Sequence, residues 1–129
     1  MHILHGNVSE KVIKSFYHVY NTLGCGFLEK VYENALRVSL RKLGVEVAQQ
    51  MPVAVHFEEE VVGEYFADLL VSGVIVVEVK VADAIAPEHE AQVINYLNAT
   101  GYQVGMILNF GPKPEFRRKV LTHPHSHPR

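Results

Sequence analysis

Two stretches of helical periodicity, three strand-like runs, a third helix and one more strand predict an α/β domain. Its mixed central sheet, of about four strands, would be flanked by helices in the order α-α-β-β-β-α-β. Three observations carry that expectation. Apolar residues recur at helical spacing through the first third of the chain. Period-two alternation takes over between Val53 and Val81. A helical stretch bounded by Pro87 and Gly101 then precedes a last apolar run, Val104-Gly105-Met106-Ile107-Leu108, which reads as a strand buried and parallel to one neighbour.

The first helix is expected from about Ser9 to Thr22, with Val12, Ile13, Phe16, Val19 and Tyr20, then Leu23, as its apolar set. Gly24-Cys25-Gly26 breaks it from a second helix, on which Leu28, Val31, Tyr32, Ala35, Leu36, Leu40 and Leu43 recur before the stop at Gly44. Tyr32 falls on that stripe and reads as a core residue with a tethered hydroxyl. Val53, Val55 and Phe57 alternate as a strand, Glu58-Glu59-Glu60 reads as a solvated hairpin turn, and a second strand follows from Val61 to Leu70. The third helix is expected over Pro87 to Thr100, since proline suits the first turn and glycine the stop. His89 reads as a solvated first-turn residue. After the fourth strand, from Gln103 to Asn109, only a short final segment is left.

The run Val74-Ile75-Val76-Val77-Glu78-Val79-Lys80-Val81 gives two positions of a core-like strand to charges, which are seldom buried unless paired or bound to metal. Alternation puts Ala67, Leu69 and Val71 on one face of the second strand and Ile75, Val77 and Val79 on one face of the third. With Ser72-Gly73-Val74 as the connection, Val71 opposes Ile75, Leu69 opposes Val77, and Asp68 faces Glu78, with Lys80 on the same side. Two opposed carboxylates repel by about 4 kcal/mol at roughly 4 Å in a medium of effective dielectric near 20. A shared proton, the Lys80 ammonium or a divalent cation would offset this, and a hard oxygen site suits Mg²⁺ or Mn²⁺ better than zinc. An ammonium beside such an ion is suited to phosphodiester hydrolysis. A plain cross-strand ion pair is the competing reading of the same residues.

Asp68, then Glu78-Val79-Lys80 on the next strand, then Gln92-Val93-Ile94-Asn95-Tyr96 on a helix, resembles the PD-(D/E)XK nuclease superfamily in the branch carrying a Q-x-x-x-Y motif. Gly26-Phe27-Leu28-Glu29-Lys30-Val31-Tyr32 resembles the G-x-x-E-x-x-Y signature of the small GxxExxY proteins within it. The resemblance runs from about Val12 to about Val120 and implies a restriction-endonuclease-like core. It also implies a metal held by Asp68, Glu78 and the backbone carbonyl of Val79, with Lys80 as the catalytic lysine. Glu29 would be an additional acidic residue near the metal, and Gln92 and Tyr96 would border the site. Ala67 stands where the superfamily's name has proline. By themselves Glu29 is a carboxylate at a helix N-terminus and Gln92 a boundary amide.

At 129 residues the chain reads as a single domain over 1–121, followed by a His/Pro tail, 122–129, expected to be disordered. No apolar stretch approaches a membrane span, no signal peptide opens the chain, and the single Cys25 precludes an intramolecular disulfide, so a cytoplasmic protein without membrane contact is expected. The net charge of -2 is not the basic footprint common in nucleic-acid binders. Lys30, Arg37, Arg41 and Lys42 on the second helix and Lys113, Arg117, Arg118 and Lys119 near the end are the candidate cationic surfaces. Nucleic acid, DNA before RNA, is the expected partner, and a homodimer is one way for so small a domain to hold a duplex. The alternatives are a nucleic-acid- or protein-binding adaptor that keeps the nuclease fold, and a purely structural ion cluster.

Overall fold

A computed structural model describes residues 3–122; of the expected tail, residues 123–129 lie outside the described residues. Helices α1 (Gly6–Leu23) and α2 (Glu29–Lys42) precede strands β1 (Val47–Phe57), β2 (Glu60–Val71) and β3 (Ile75–Lys80). Helix α3 (Pro87–Thr100), β4 (Val104–Phe110) and β5 (Pro114–Val120) complete the chain. The strands form one sheet in the order β1-β2-β3-β4-β5, antiparallel except for the parallel pair β3/β4 that the α3 crossover joins.

The sheet therefore has five strands where four were expected. Pro114-Glu115-Phe116-Arg117-Arg118-Lys119-Val120 carries too many charges to read as a strand, but an edge strand needs only one covered face. Phe116 supplies it by packing against the core. Strand β1 also starts earlier than Val53, at Val47, because Pro52 is tolerated on an edge strand where its missing N–H faces no partner. The hairpin turn is the two residues Glu58 and Glu59, both at positive φ, with Glu60 already paired to Phe57.

Helices α1 and α2 cover one face of the sheet. Val12, Phe16, Val19, Tyr32, Leu36 and Leu40 pack against Leu69, Val71, Ile75, Val77 and Val79. Leu28 and Val31, expected on the α2 stripe, are exposed; Leu28 precedes the first helical residue, and the buried face turns on Tyr32, Leu36 and Leu40 instead. Tyr32 is the expected core residue. Its ring stacks on Phe110 at 4.3 Å, and its hydroxyl donates to the Gly24 carbonyl at 2.6 Å while accepting the Phe27 N–H.

Helix α3 covers the opposite face, where Val93, Tyr96 and Leu97 meet Val53, Ala67, Val76 and Ile107. Ala67 thus lies on the face opposite Leu69 and Val71, contrary to simple alternation. Gln50, opposite this step of β2, takes a left-handed φ of 54° and drops out of the β1/β2 ladder between Gln49↔Leu69 and Met51↔Ala67. A strand residue in that conformation rotates the side-chain pattern as a bulge does, so Val47 faces the α1/α2 side and Val53 the α3 side.

Beyond β3 the chain is fixed to the end of β4. Asn109, fully buried, accepts the Ala82 N–H and donates to the Ala82 carbonyl, both at 2.9 Å, and the Gly111 carbonyl accepts the Tyr20 hydroxyl. A Cβ on Gly111 would sit 1.9 Å from the Ala82 carbonyl oxygen, so only glycine lets these backbones meet. Gly111→Ala should lower the unfolding free energy by about 1–3 kcal/mol in urea titration; an unchanged midpoint would show that the contact is not a constraint.

Candidate functional site

The β2/β3 ladder follows the expected register, Val71↔Ile75, Leu70↔Val76 and Leu69↔Val77, closed by residues 72–74. It stops there. At the next step Asp68 replaces the ladder, its Oδ2 accepting the Val79 N–H at 2.8 Å. Asp68 is thereby anchored beside Glu78, and the β1–β2 hairpin continues past the edge of β3 paired only to itself.

Glu78 is 4% exposed, and its Oε1 is buried with no hydrogen-bond partner among the described residues. Burial, then the Asp68 charge and a hydrogen bond shared with Asp68, push the Glu78 carboxyl from an ordinary 4.5 to about 9, against the opposing pull of the Lys80 ammonium. Asp68 and Lys80 therefore both act on Glu78, in opposite directions. Burial and the neighbouring Asp68 charge thus favour the neutral form of the Glu78 carboxyl.

Gln92 and Tyr96 reach the same cluster from α3. Gln92 Nε2 donates to the Tyr96 hydroxyl at 2.9 Å, as their four-residue spacing allows. Burial and then the Glu78 charge raise the Tyr96 hydroxyl to about 12, with Asp68 adding to the effect. Tyr96 is therefore a neutral donor or acceptor beside the carboxylates across the ordinary pH range. His89, one turn before Gln92, takes a local role: its Nδ1 accepts the Ala86 N–H at 3.0 Å and caps the start of α3.

Glu29 is exposed at the first residue of α2, whereas Glu33, one turn further on the same face, is 3% exposed. Glu33 pairs with the Lys30 ammonium at 3.1 Å and accepts from Gln49 Nε2 at 2.6 Å and Gln50 Nε2 at 3.1 Å. The same Gln50 nitrogen lies 3.4 Å from Asp68 Oδ1, a weak contact that links the α2 carboxylate to the strand carboxylate. Sequence reasoning missed Glu33, Gln49 and Gln50. The one available signal was that Glu33 adjoins Tyr32 on a stripe that continues to Leu36; the glutamines gave none, because their role follows from the twist at Gln50.

Two carboxylates with a backbone carbonyl, the remaining positions filled by water or phosphate, suit Mg²⁺ or Mn²⁺. The orphaned Glu78 oxygen fits such an ion, although among the described residues no three Asp, Glu, His or Cys side chains gather into a cluster that could hold one.

Most of the expected cations have structural partners. Arg37 donates to Gln49 Oε1, Arg41 to the Val47 carbonyl, and Arg118 to Ser9 Oγ and the Leu4 carbonyl. Arg117 pairs with Glu115, and Lys119 with Glu90. These contacts tie α2 to β1 and β5 to its surroundings, so the clusters are not open basic patches. No helix among the described residues is long and apolar enough to cross a membrane.

Residues 6–119 match the family model of the PD-(D/E)XK nuclease superfamily. The chain is similar in fold to the crystal structure of SSO0001, with a TM-score of 0.52 at 17% identity, over 88% of this chain and 57% of that one. The chain thus spans little more than half the length of that structure, and the likeness supports a restriction-endonuclease-like arrangement of the mixed sheet and helices. No curated protein matches.

A carboxyl whose proton affinity rises on folding stabilises the fold fully below its unfolded value and loses that contribution as pH rises through its folded value. The metal-free protein should therefore lose stability from Glu78 as pH rises from about 4.5 to about 9. Glu78→Gln should flatten that slope in thermal melts recorded with EDTA. An identical slope in wild type and variant would exclude Glu78 as its source.

Proposed function

Because the chain belongs to the PD-(D/E)XK nuclease superfamily, we propose that it is a divalent-metal-dependent phosphodiesterase acting on nucleic acid, DNA in the first instance, and that it falls in the GxxExxY group. The observation that carries this reading is the buried, partnerless Glu78 oxygen beside Asp68 and Lys80. A solvated ion pair would not leave a carboxylate oxygen desolvated and unbonded. A site kept for an ion would.

Asp68, Glu78 and the Val79 carbonyl are the proposed ligands of Mg²⁺ or Mn²⁺. Such an ion, when bound, supplies Lewis acidity toward a phosphoryl oxygen and lowers the pKa of water. The Val79 N–H holds the Asp68 carboxylate in place. Lys80 brings a positive charge against the negative charge that develops on phosphate, and orients the attacking water. Gln92 fixes the Tyr96 hydroxyl, which stays protonated and presents a hydrogen bond at the edge of the site. Of the two α2 carboxylates, Glu33 is the one that Gln50 links to Asp68. Glu29, one turn earlier and solvent-exposed, would act only through water. A homodimer is the proposed means of holding a duplex.

The engaged cations and the net charge of -2 favour the second reading, an adaptor that keeps the nuclease fold. Metal titration of wild type and Lys80→Ala on single- and double-stranded DNA and RNA separates the two. Wild type should cleave at least one substrate with Mg²⁺ or Mn²⁺, and Lys80→Ala should lose a factor of about 10²–10³ with its thermal melt unchanged. Metal binding without cleavage would select the adaptor; neither binding nor cleavage would remove the nuclease reading.

A further inference from the structure

Between α3 and the β1–β2 hairpin, past the point where the hairpin leaves β3, lies a cavity of about 690 Å³. This is within the range of small-molecule sites, roughly 300–1,000 Å³. Its apolar surface includes Ala54, Val55, Ala91 and Ala99, and its polar groups are the amides and imidazoles of Gln92, Asn95, Asn98, His56 and His89, with one carboxylate, Glu88. Among the described residues that line it there is no Lys or Arg, so it is not built for phosphate. Tyr65, 51% exposed, contributes an aromatic surface, with its ring centroid 6.0 Å from that of Tyr96 and tilted by 41°.

Gln92 and Tyr96 belong both to this lining and to the border of the Asp68–Glu78–Lys80 cluster. A ligand that fills the cavity therefore abuts the proposed reaction site. Uncharged amides read the hydrogen-bonding edge of a planar heterocycle, while an accessible tyrosine stacks on its face. An intact duplex does not offer a base in this way, because both faces of each base are stacked.

We propose that this cavity is a nucleobase pocket, in which Tyr65 stacks on an unpaired base next to the scissile phosphate and the Asn95 amide contacts its edge. This rests on the nuclease reading for the position of the phosphate, and it narrows the substrate to nucleic acid with an unpaired nucleotide at the cleaved step. Tyr65 and Asn95 are binding and specificity residues that the superfamily motifs do not include.

The test is an NMR titration of the full chain with the four deoxynucleoside 5′-monophosphates at millimolar concentration, with 2-deoxyribose 5-phosphate as the base-free control. The mononucleotides should shift the Asn95 side-chain amide and the Tyr65 ring saturably, and the control should not. Tyr65→Ala should weaken binding about tenfold, and Asn95→Ala should change the order of preference among the four. Both positions are solvent-exposed, so the variants should keep the wild-type melting temperature. Equal shifts with the control, no shifts at these residues, or undiminished binding by Tyr65→Ala would overturn the pocket. Cleavage is scored separately. Base-dependent shifts without cleavage would support the pocket and remove the nuclease reading, whereas cleavage without such shifts would remove the pocket alone.

Discussion

The hydrogen bond from the Val79 N–H to the Asp68 carboxylate, 2.8 Å long, is the constraint on which the site depends. A regular antiparallel ladder would have used a backbone carbonyl of β2 at this step and kept the hairpin flat against β3. A charged acceptor makes the stronger bond, a net contribution of about 1.5–3 kcal/mol, and it ends the ladder at Leu69↔Val77. The remainder of β2 is paired to β1 alone, and a cavity lies between this part of the hairpin and α3. One contact thus fixes a carboxylate where a strand pair ends.

The same position joins the two faces of the sheet. On β1, the left-handed Gln50 moves the pattern from the α1/α2 face to the α3 face, so its amide meets both Glu33 from α2 and Asp68 from β2. From the other side Tyr96 brings a hydroxyl whose ionisation burial and the Glu78 charge oppose. Asp68, Glu78 and Lys80 come from the sheet and Glu33 from α2, with Tyr96 approaching from α3. The Lys30 ammonium offsets the Glu33 charge, and crowding by Asp68 together with burial favours the neutral form of Glu78.

Charge elsewhere serves the fold. Arg41 and Arg118 reach backbone carbonyls, and Arg37 reaches Gln49, the residue that also holds Glu33. Arginine suits such positions because its planar fork satisfies several acceptors at once.

The sequence by itself determined the order of the helices and of the first four strands, the β2/β3 register from Val71↔Ile75 to Leu69↔Val77 and the nearness of Asp68 and Lys80 to Glu78, because these follow from local periodicity and from a hairpin whose loop length sets its pairing. It also placed Gln92 and Tyr96 on one face of α3, since a four-residue spacing permits nothing else. Only the tertiary structure decided the fifth strand, whose charges hide its pattern and whose single covered face depends on Phe116 meeting a core built by other segments. The face exchange at Gln50 was equally invisible, because a left-handed glutamine leaves no mark in composition or alternation. Glu33, which the sequence reading did not single out, is buried and tied to Asp68 through Gln50. Periodicity fixes which residues share a face of one element, but only packing decides what each face meets.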